Sequence, residues 1–202
     1  MEKRGRPRGF DRQDALRRAM VTFWQKGFEG SSMTDLTDAM GIASPSLYAA
    51  FGSKEALFHE ALALYQGSVG NEIWDSLDSE PDITAAIAAF LNNSVSAYAP
   101  GEHPRGCLIV LGAGAGEGSH AVGEELRRRR VDNLTRLRER FARAVADGEL
   151  SPDFDCQGAA AFYATLQHGM SIMARDGADT ATMLAIADGG IRALEGPAFN
   201  AL

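Results

Sequence analysis

Two stretches of this 202-residue chain carry groups able to do chemistry, and both carry chemistry suited to phosphate. The first is the opening MEKRGRPRGFDR, where Lys3, Arg4, Arg6 and Arg8 surround a Gly-Arg-Pro turn. The second is SSMTDLTDAMGIASPSLYAAFGSKEALF, Ser31 to Phe58, in which Ser32, Thr34, Ser44, Ser46, Tyr48 and Lys54 are set among apolar residues. Guanidinium and ammonium groups neutralise phosphates. Hydroxyls donate to phosphate oxygens or to base edges.

Bond-making chemistry finds less support. GAGAGEG (Gly112 to Gly118) mimics a phosphate-binding loop, but it follows a short apolar segment and holds no Lys. His59, His103, His120 and His168, with Cys107 and Cys156, show no metal-ligand spacing. Nothing in the pattern supports a Cys107–His168 nucleophile pair. We therefore expect no enzyme, no metal and no cofactor.

Charge points the same way as the motifs. The chain has a net charge of -7, yet its first 20 residues hold seven Lys/Arg against three acids. Residues 61–202 hold 11 basic and 19 acidic residues. The asymmetry implies an anionic partner that meets only the N-terminal end. No apolar run approaches the roughly 20 residues of a membrane span, and no apolar segment of signal-peptide type follows the basic start. The two cysteines suit a reducing compartment, so a cytoplasmic protein with no membrane partner is expected.

These groups must be held by helices. No stretch alternates with a period of two, and apolar residues recur at three and four. Asp11 is an N-cap for a first helix ending at Gly27, with Ala15, Ala19 and Phe23 inward. Ser32 with Asp35 caps a second, which Gly41 stops. A third covers Ser44 to Phe51, with Pro45 in its first turn. Ser53 caps a fourth that runs to about Trp74. Further helices are expected over about Asp82 to Tyr98, Arg105 to Ala113, Ser119 to Asp147, Asp155 to Arg175 and Asp179 to Leu194. The fold class is all-α, with about nine helices. A flexible basic arm spans 1–10, a helix-turn-helix unit 11–58 and a helical body 59–202.

The corner Met40-Gly41-Ile42-Ala43 is of helix-turn-helix type. Gly41 supplies the left-handed residue, Ile42 plugs the corner, and Leu47 and Phe51 hold the third helix on the core. Ser44, Pro45, Ser46, Tyr48 and Ala49 remain outward. Small side chains there allow a helix to press into a major groove.

This segment resembles the DNA-binding domain of the TetR family of bacterial repressors. Ser32, Leu36, Gly41, Ile42, Leu47, Tyr48, Phe51, Ser53, Lys54 and Leu57 carry the resemblance, which covers about residues 10–60. GIASPSLYAAFGSKEALF looks like one subgroup, with Pro45-Ser46 in place of the commoner Gly-Thr. Two positions depart. Ala43 stands where a capping Ser or Asn is usual, so Ser44 is expected to cap one residue later. Ala50 stands where many members have a phosphate-reaching His.

The resemblance implies that Tyr48, Lys54 and Ser32 or Thr34 contact phosphates, and that Ser44, Pro45 and Ser46 face base edges. Each has a plainer alternative: a rim aromatic for Tyr48, a solvated lysine for Lys54. Arg4, Arg6 and Arg8 resemble a minor-groove hook, or are a tail giving only non-specific attraction. The partners implied are a palindromic double-stranded DNA operator, a small-molecule effector and a second copy of the chain.

For the body, small residues and a stripe of Phe162, Leu166 and Met170, with Met183, Ile186 and Ile191 on the last helix, suggest a homodimer interface, the alternative being intrachain core. Trp74, Phe90, Tyr98, Cys107, Phe141, Tyr163, Gln167 and His168 are candidates for a ligand pocket, the alternative again being core. Cys107 is a small buried hydrophobe or a redox and electrophile sensor. Arg127 to Arg130 read as a solvated, salt-bridged face. Three functions stay open: a ligand-responsive repressor, a thiol-sensing repressor, and a ligand-independent DNA-binding protein.

Overall fold

Helix signals in the sequence become helices almost throughout. The computed structural model describes residues 10–101, 103–112, 120–196 and 199. Arg4, Arg6 and Arg8, and most of the GAGAGEG segment, lie outside the described residues. No β-strand occurs among the described residues.

The helices are α1 (Arg12–Gly30), α2 (Met33–Met40), α3 (Ser44–Phe51), α4 (Lys54–Tyr65), α5 (Asn71–Ser79), α6 (Ile83–Tyr98), α7 (Leu108–Leu111), α8 (His120–Ala146), α9 (Cys156–Arg175) and α10 (Thr180–Glu195). Local chemistry sets their ends. Asp11, Ser53, Asp82, Asp155 and Asp179 each accept a backbone N–H from the first turn that follows. Ser32 and Asp35 form a reciprocal capping box on α2.

Three boundaries differ from the sequence expectation, each for a physical reason. Gly27 breaks α1 with φ 72° and ψ 173°, as its position suggested, but one further turn follows to Gly30. The fourth helix does run past Trp74 as one rod. Its middle, Gln66–Gly70, is a π turn between α4 and α5. Ser68 Oγ donates to the Leu64 carbonyl there at 2.7 Å. The segment expected as a helix from Arg105 narrows to Leu108–Leu111, because Gly106 has φ 81° and Cys107 is extended. Counting α4, the π turn and α5 as one rod, the described residues hold nine helical units.

Gly41 ends α2 in the left-handed region, at φ 67° and ψ 33°. Gly41→Val is expected to cost about 1–2 kcal/mol, because a β-branched residue is strained there. Thermal unfolding checks this; an unchanged midpoint would mean that the corner relaxes without cost.

One core runs through the molecule. α1, α2, α3 and α4 bury Phe23, Phe28, Leu36, Leu47, Phe51, Leu57 and Phe58. In the body α6 packs between α5 and α10, and α8 lies along α9. Trp24 and Tyr65, edge to face with centroids 4.8 Å apart, continue the core from head to body. No helix among the described residues is long and apolar enough to cross a membrane.

Candidate nucleic-acid interface and interior cleft

α3 meets the solvent with small groups and one phenol. Its inner face is fixed by Leu47 and Phe51, both buried. Ser44, Pro45, Tyr48 and Ala49 are exposed and Ser46 is half-buried. Tyr48 keeps 51% of its surface free. Ala43 occupies the N-cap position and its side chain makes no cap hydrogen bond, so the expected shift of the cap to Ser44 does not occur. Pro45 lacks an N–H in this first turn, which leaves no donor orphaned there.

The flanking groups differ in how free they are. Thr34 is exposed in the first turn of α2. Ser32 is committed to its cap: its Oγ accepts from the Asp35 N–H at 3.0 Å and its own N–H donates to Asp35 Oδ2 at 2.9 Å. Lys54 lies half-buried at the start of α4, its Nζ 4.3 Å from the centroid of the Phe28 ring. That ring holds the ammonium group beside the head.

Sequence reasoning missed Arg12. Its guanidinium donates to the Ala50 carbonyl and to Glu60 Oε1 and lies 4.3 Å over the Phe51 ring. It therefore ties α1 to the C-terminal end of α3. No local signal marks it, since its partners lie 38 and 48 residues away.

Lys26 pairs with Asp35 across α1 and α2. The Lys26 ammonium, then the Ser32 hydroxyl and N–H, hold the Asp35 carboxyl well below its ordinary value. A lowered native pKa means the pair contributes stability above the ordinary carboxylate range. That contribution is lost as pH falls through the lowered value. Lys26→Met is expected to move the Asp35 titration up toward ordinary carboxylates, read by NMR of the carboxyl carbon. No movement would assign the shift to the cap alone.

In the body, a small cleft of about 60 Å³ lies beside the π turn. Trp74, Cys107 and Gln167, three of the pocket candidates, line it together. Phe90 backs Trp74 at 5.1 Å, edge to face. Tyr98 is buried and its hydroxyl has no hydrogen-bond partner among the described residues. Burial, then the neighbouring Cys107 thiol, pushes the Tyr98 phenol well above its ordinary value, and Tyr65 likewise. Both phenols thus stay protonated beside the thiol.

Other pocket candidates fall elsewhere. Phe141 and Tyr163 stack at 5.7 Å in an aromatic cluster with Phe154 and Phe199. The Tyr163 hydroxyl donates to the Gly190 carbonyl at 2.9 Å. These two are core rather than cleft wall, because the α8–α9 contact buries them. His168 lines an outer groove between α8 and α9 with Arg127 and Arg130. Its imidazole is shifted down by burial, then by the Arg130 charge. Tyr65, Gln66, Asn71, Asn133 and Arg136 line the cleft and were not singled out. The π turn changes the helical period, so spacing alone does not aim Gln66 and Asn71 inward.

Arg127 and Arg128 pair with Glu124, Glu125 and Asp132 along α8, as a solvated face does, while Arg129 pairs with Glu125 where both side chains are largely covered. Arg130 is different, half-buried and donating to the Ile109 carbonyl at 3.1 Å. On α9 and α10, Phe162, Ile172, Met173 and Leu184 are exposed, and Leu166, Ile186 and Ile191 are half-buried. Met170 and Met183 are buried inside the single chain. Those two are therefore core, not surface that a partner would cover.

Residues 15–61 match the model of the bacterial regulatory proteins, tetR family. The HTH-type transcriptional repressor ComR of Escherichia coli K12 is 32% identical over 92% of this chain and 90% of its own length. The repressor BdcR of the same strain is 30% identical, over 86% and 83%. A triple cysteine mutant of the TetR family regulator CifR, solved with 26-bp double-strand operator DNA, superposes with a TM-score of 0.89. That protein is 45% identical, over 94% of this chain and 99% of its own. The shared sequence spans head and body alike: this chain belongs to the tetR family of bacterial regulatory proteins.

Proposed function

We propose that the chain is a transcriptional repressor that binds a palindromic operator as a homodimer and leaves it when a small molecule enters the cleft beside the π turn. The observation that carries this reading is the outer face of α3. It is exposed, uncharged and small apart from Tyr48, with Thr34 and Lys54 at its flanks. Such a face enters a major groove, while hydroxyl and ammonium groups at its edges meet phosphates. Lys3, Arg4, Arg6 and Arg8 add positive charge at the start of the sequence. ComR and BdcR, both repressors, support the sign of regulation.

Dimerisation rests on the apolar residues left open on α9 and α10, Phe162, Ile172, Met173 and Leu184, with Leu166, Ile186 and Ile191 beneath them. A second copy of the same two helices would cover them as a four-helix bundle. Release rests on the rod of α4, π turn and α5, whose residues Tyr65, Gln66 and Trp74 line the cleft while its first residue is Lys54. A ligand that prefers one arrangement of that rod shifts the spacing of the two heads.

Selection of binding sites from random duplex DNA, followed by affinity against salt, tests the reading. A palindromic consensus with a steep salt slope is expected. Weak, sequence-blind binding would sink it and leave a ligand-independent DNA-binding protein.

A second reading has its own observation. The Cys107 sulfur sits in the cleft wall, close to the Tyr65 and Tyr98 hydroxyls. There a soft electrophile or an oxidant would meet the thiol and two phenol donors. Operator release by N-ethylmaleimide that disappears in Cys107→Ser, with unchanged affinity before treatment, is the expected result of this reading. Release that persists in the variant removes Cys107 from the switch.

A further inference from the structure

The rod through α4 is not the only link between cleft and head. The segment from His103 to Gly112, a loop that runs into α7, carries Cys107 and grips the end of α1. Trp24 Nε1 donates to the Gly106 carbonyl at 2.9 Å, a buried bond across 82 residues. The Phe28 N–H donates to the Gly112 carbonyl at 3.0 Å. The Trp24 ring stacks on His103, with centroids 5.8 Å apart.

Arg175, at the end of α9, closes the arrangement. Its Nη2 donates to the Trp24 carbonyl at 2.7 Å, its Nη1 to the Gln25 carbonyl at 3.4 Å and its Nε to the Arg105 carbonyl at 3.1 Å. One guanidinium thus caps the part of α1 before the Gly27 break and holds the loop against it. Its planar fork presents a separate nitrogen to each of three carbonyls, a spread that the single nitrogen of a lysine lacks.

The loop has little freedom of its own. The Cys107 N–H donates to Ser171 Oγ at 2.8 Å. A Cβ on Gly106 would stand 2.6 Å from the Ser171 carbonyl oxygen. A group that displaces the Cys107 side chain therefore moves the Gly106 carbonyl, and with it the indole. Beyond the Gly27 break stands Phe28, whose ring holds the Lys54 ammonium. The path runs from Cys107 to the DNA face without passing along α4.

We infer that Trp24 and Arg175 are positioning residues for DNA binding: they clamp the end of α1 to the Cys107 loop, so that what fills the cleft sets the pose of the reading head. This rests on the coupling of cleft to operator proposed above. It differs in naming the α1 clamp, rather than the α4 rod, as the main transmitting element.

The test uses side chains as permanent cleft occupants, on the full chain and the operator obtained by selection. Cys107→Phe and the milder Cys107→Met are measured in the wild type, in Trp24→Phe and in Arg175→Gln. Circular dichroism and thermal unfolding identify variants that fold. Cys107→Phe is expected to weaken operator binding about tenfold in the wild type. In either clamp variant it is expected to change affinity less than about twofold further. Arg175→Lys, which keeps one cationic donor near the Trp24 carbonyl, is expected to restore about a threefold response. Amide exchange at Phe28 is expected to quicken with Cys107→Phe in the wild type, a readout that a loss of global stability would spread over the whole chain. If Cys107→Phe weakens wild type and clamp variants equally, the clamp is overturned and the rod carries the signal. If both occupants leave wild-type affinity unchanged, the proposed coupling of cleft to operator falls, and the clamp with it.

Discussion

Leu47→Ala is expected to weaken operator binding about a hundredfold while leaving the body folded. Leu47 is fully buried on the inner face of α3 and, with Phe51, holds that helix on its neighbours. Removing three carbons from a packed site costs about 2–5 kcal/mol, the transfer term plus the cavity left behind. That loss falls on one short helix. α3 has eight residues and packs chiefly on α2 and α4. Eight residues do not sustain a helix alone, so α3 depends on this contact. The expected observations are a loss of operator affinity by about two orders of magnitude and fast amide exchange confined to α2 and α3. Far-UV dichroism should fall only slightly, since α6, α8, α9 and α10 hold most of the helix. Uniform exchange across the chain would instead mean that head and body unfold as one unit. Wild-type affinity in the variant would remove α3 from DNA recognition.

Ala49→Glu should have nearly as large an effect on binding and almost none on stability. Ala49 is exposed on the middle of α3, next to Tyr48, and contributes nothing to the core. Glutamate is a good helix former, so the helix itself is not at risk. On the proposed reading, a carboxylate placed on this face repels phosphate and meets base edges of which most offer acceptors. A penalty of about 3 kcal/mol corresponds to roughly a hundredfold weaker binding. The melting temperature should stay close to wild type, because surface substitutions of this kind stay within about 0.5 kcal/mol. Filter binding or fluorescence anisotropy on the selected operator reads the first quantity, and thermal unfolding the second. Undiminished binding would show that the outer face of α3 does not approach DNA. The pair is informative together: Leu47→Ala attacks the support of α3 and Ala49→Glu its outer face.

The head was legible in the sequence because its determinants are local. Ser32 and Asp35 are three residues apart, and the capping box they form needs nothing beyond that turn. Gly41 takes a left-handed conformation that its position at a helix end already called for. Leu36, Leu47 and Phe51 follow the helical period and are buried. The all-α class, the order of helices and most of their ends followed from the same caps and periodicities. Exposure of Ser44, Pro45 and Tyr48 followed too, since what is left over on an amphipathic helix faces water.

What the sequence could not decide was set by contacts between distant residues. Phe141 and Tyr163 carry the same aromatic signature as Trp74, yet the α8–α9 packing buries them in the core while Trp74 lines the cleft. Met170 and Met183 share a stripe with Leu166 and Ile186, but only three-dimensional packing separates the inside of the chain from its surface. Lys54 is a surface lysine by composition, and the ring that holds it comes from Phe28, at the far end of α1. Arg175 is one cation among many in the sequence; its carbonyl partners on α1 lie 150 and 151 residues away. Periodicity and capping are properties of a few neighbouring residues. The cleft, the clamp and the line between core and interface depend on which elements meet, and that choice belongs to the packing of the whole chain.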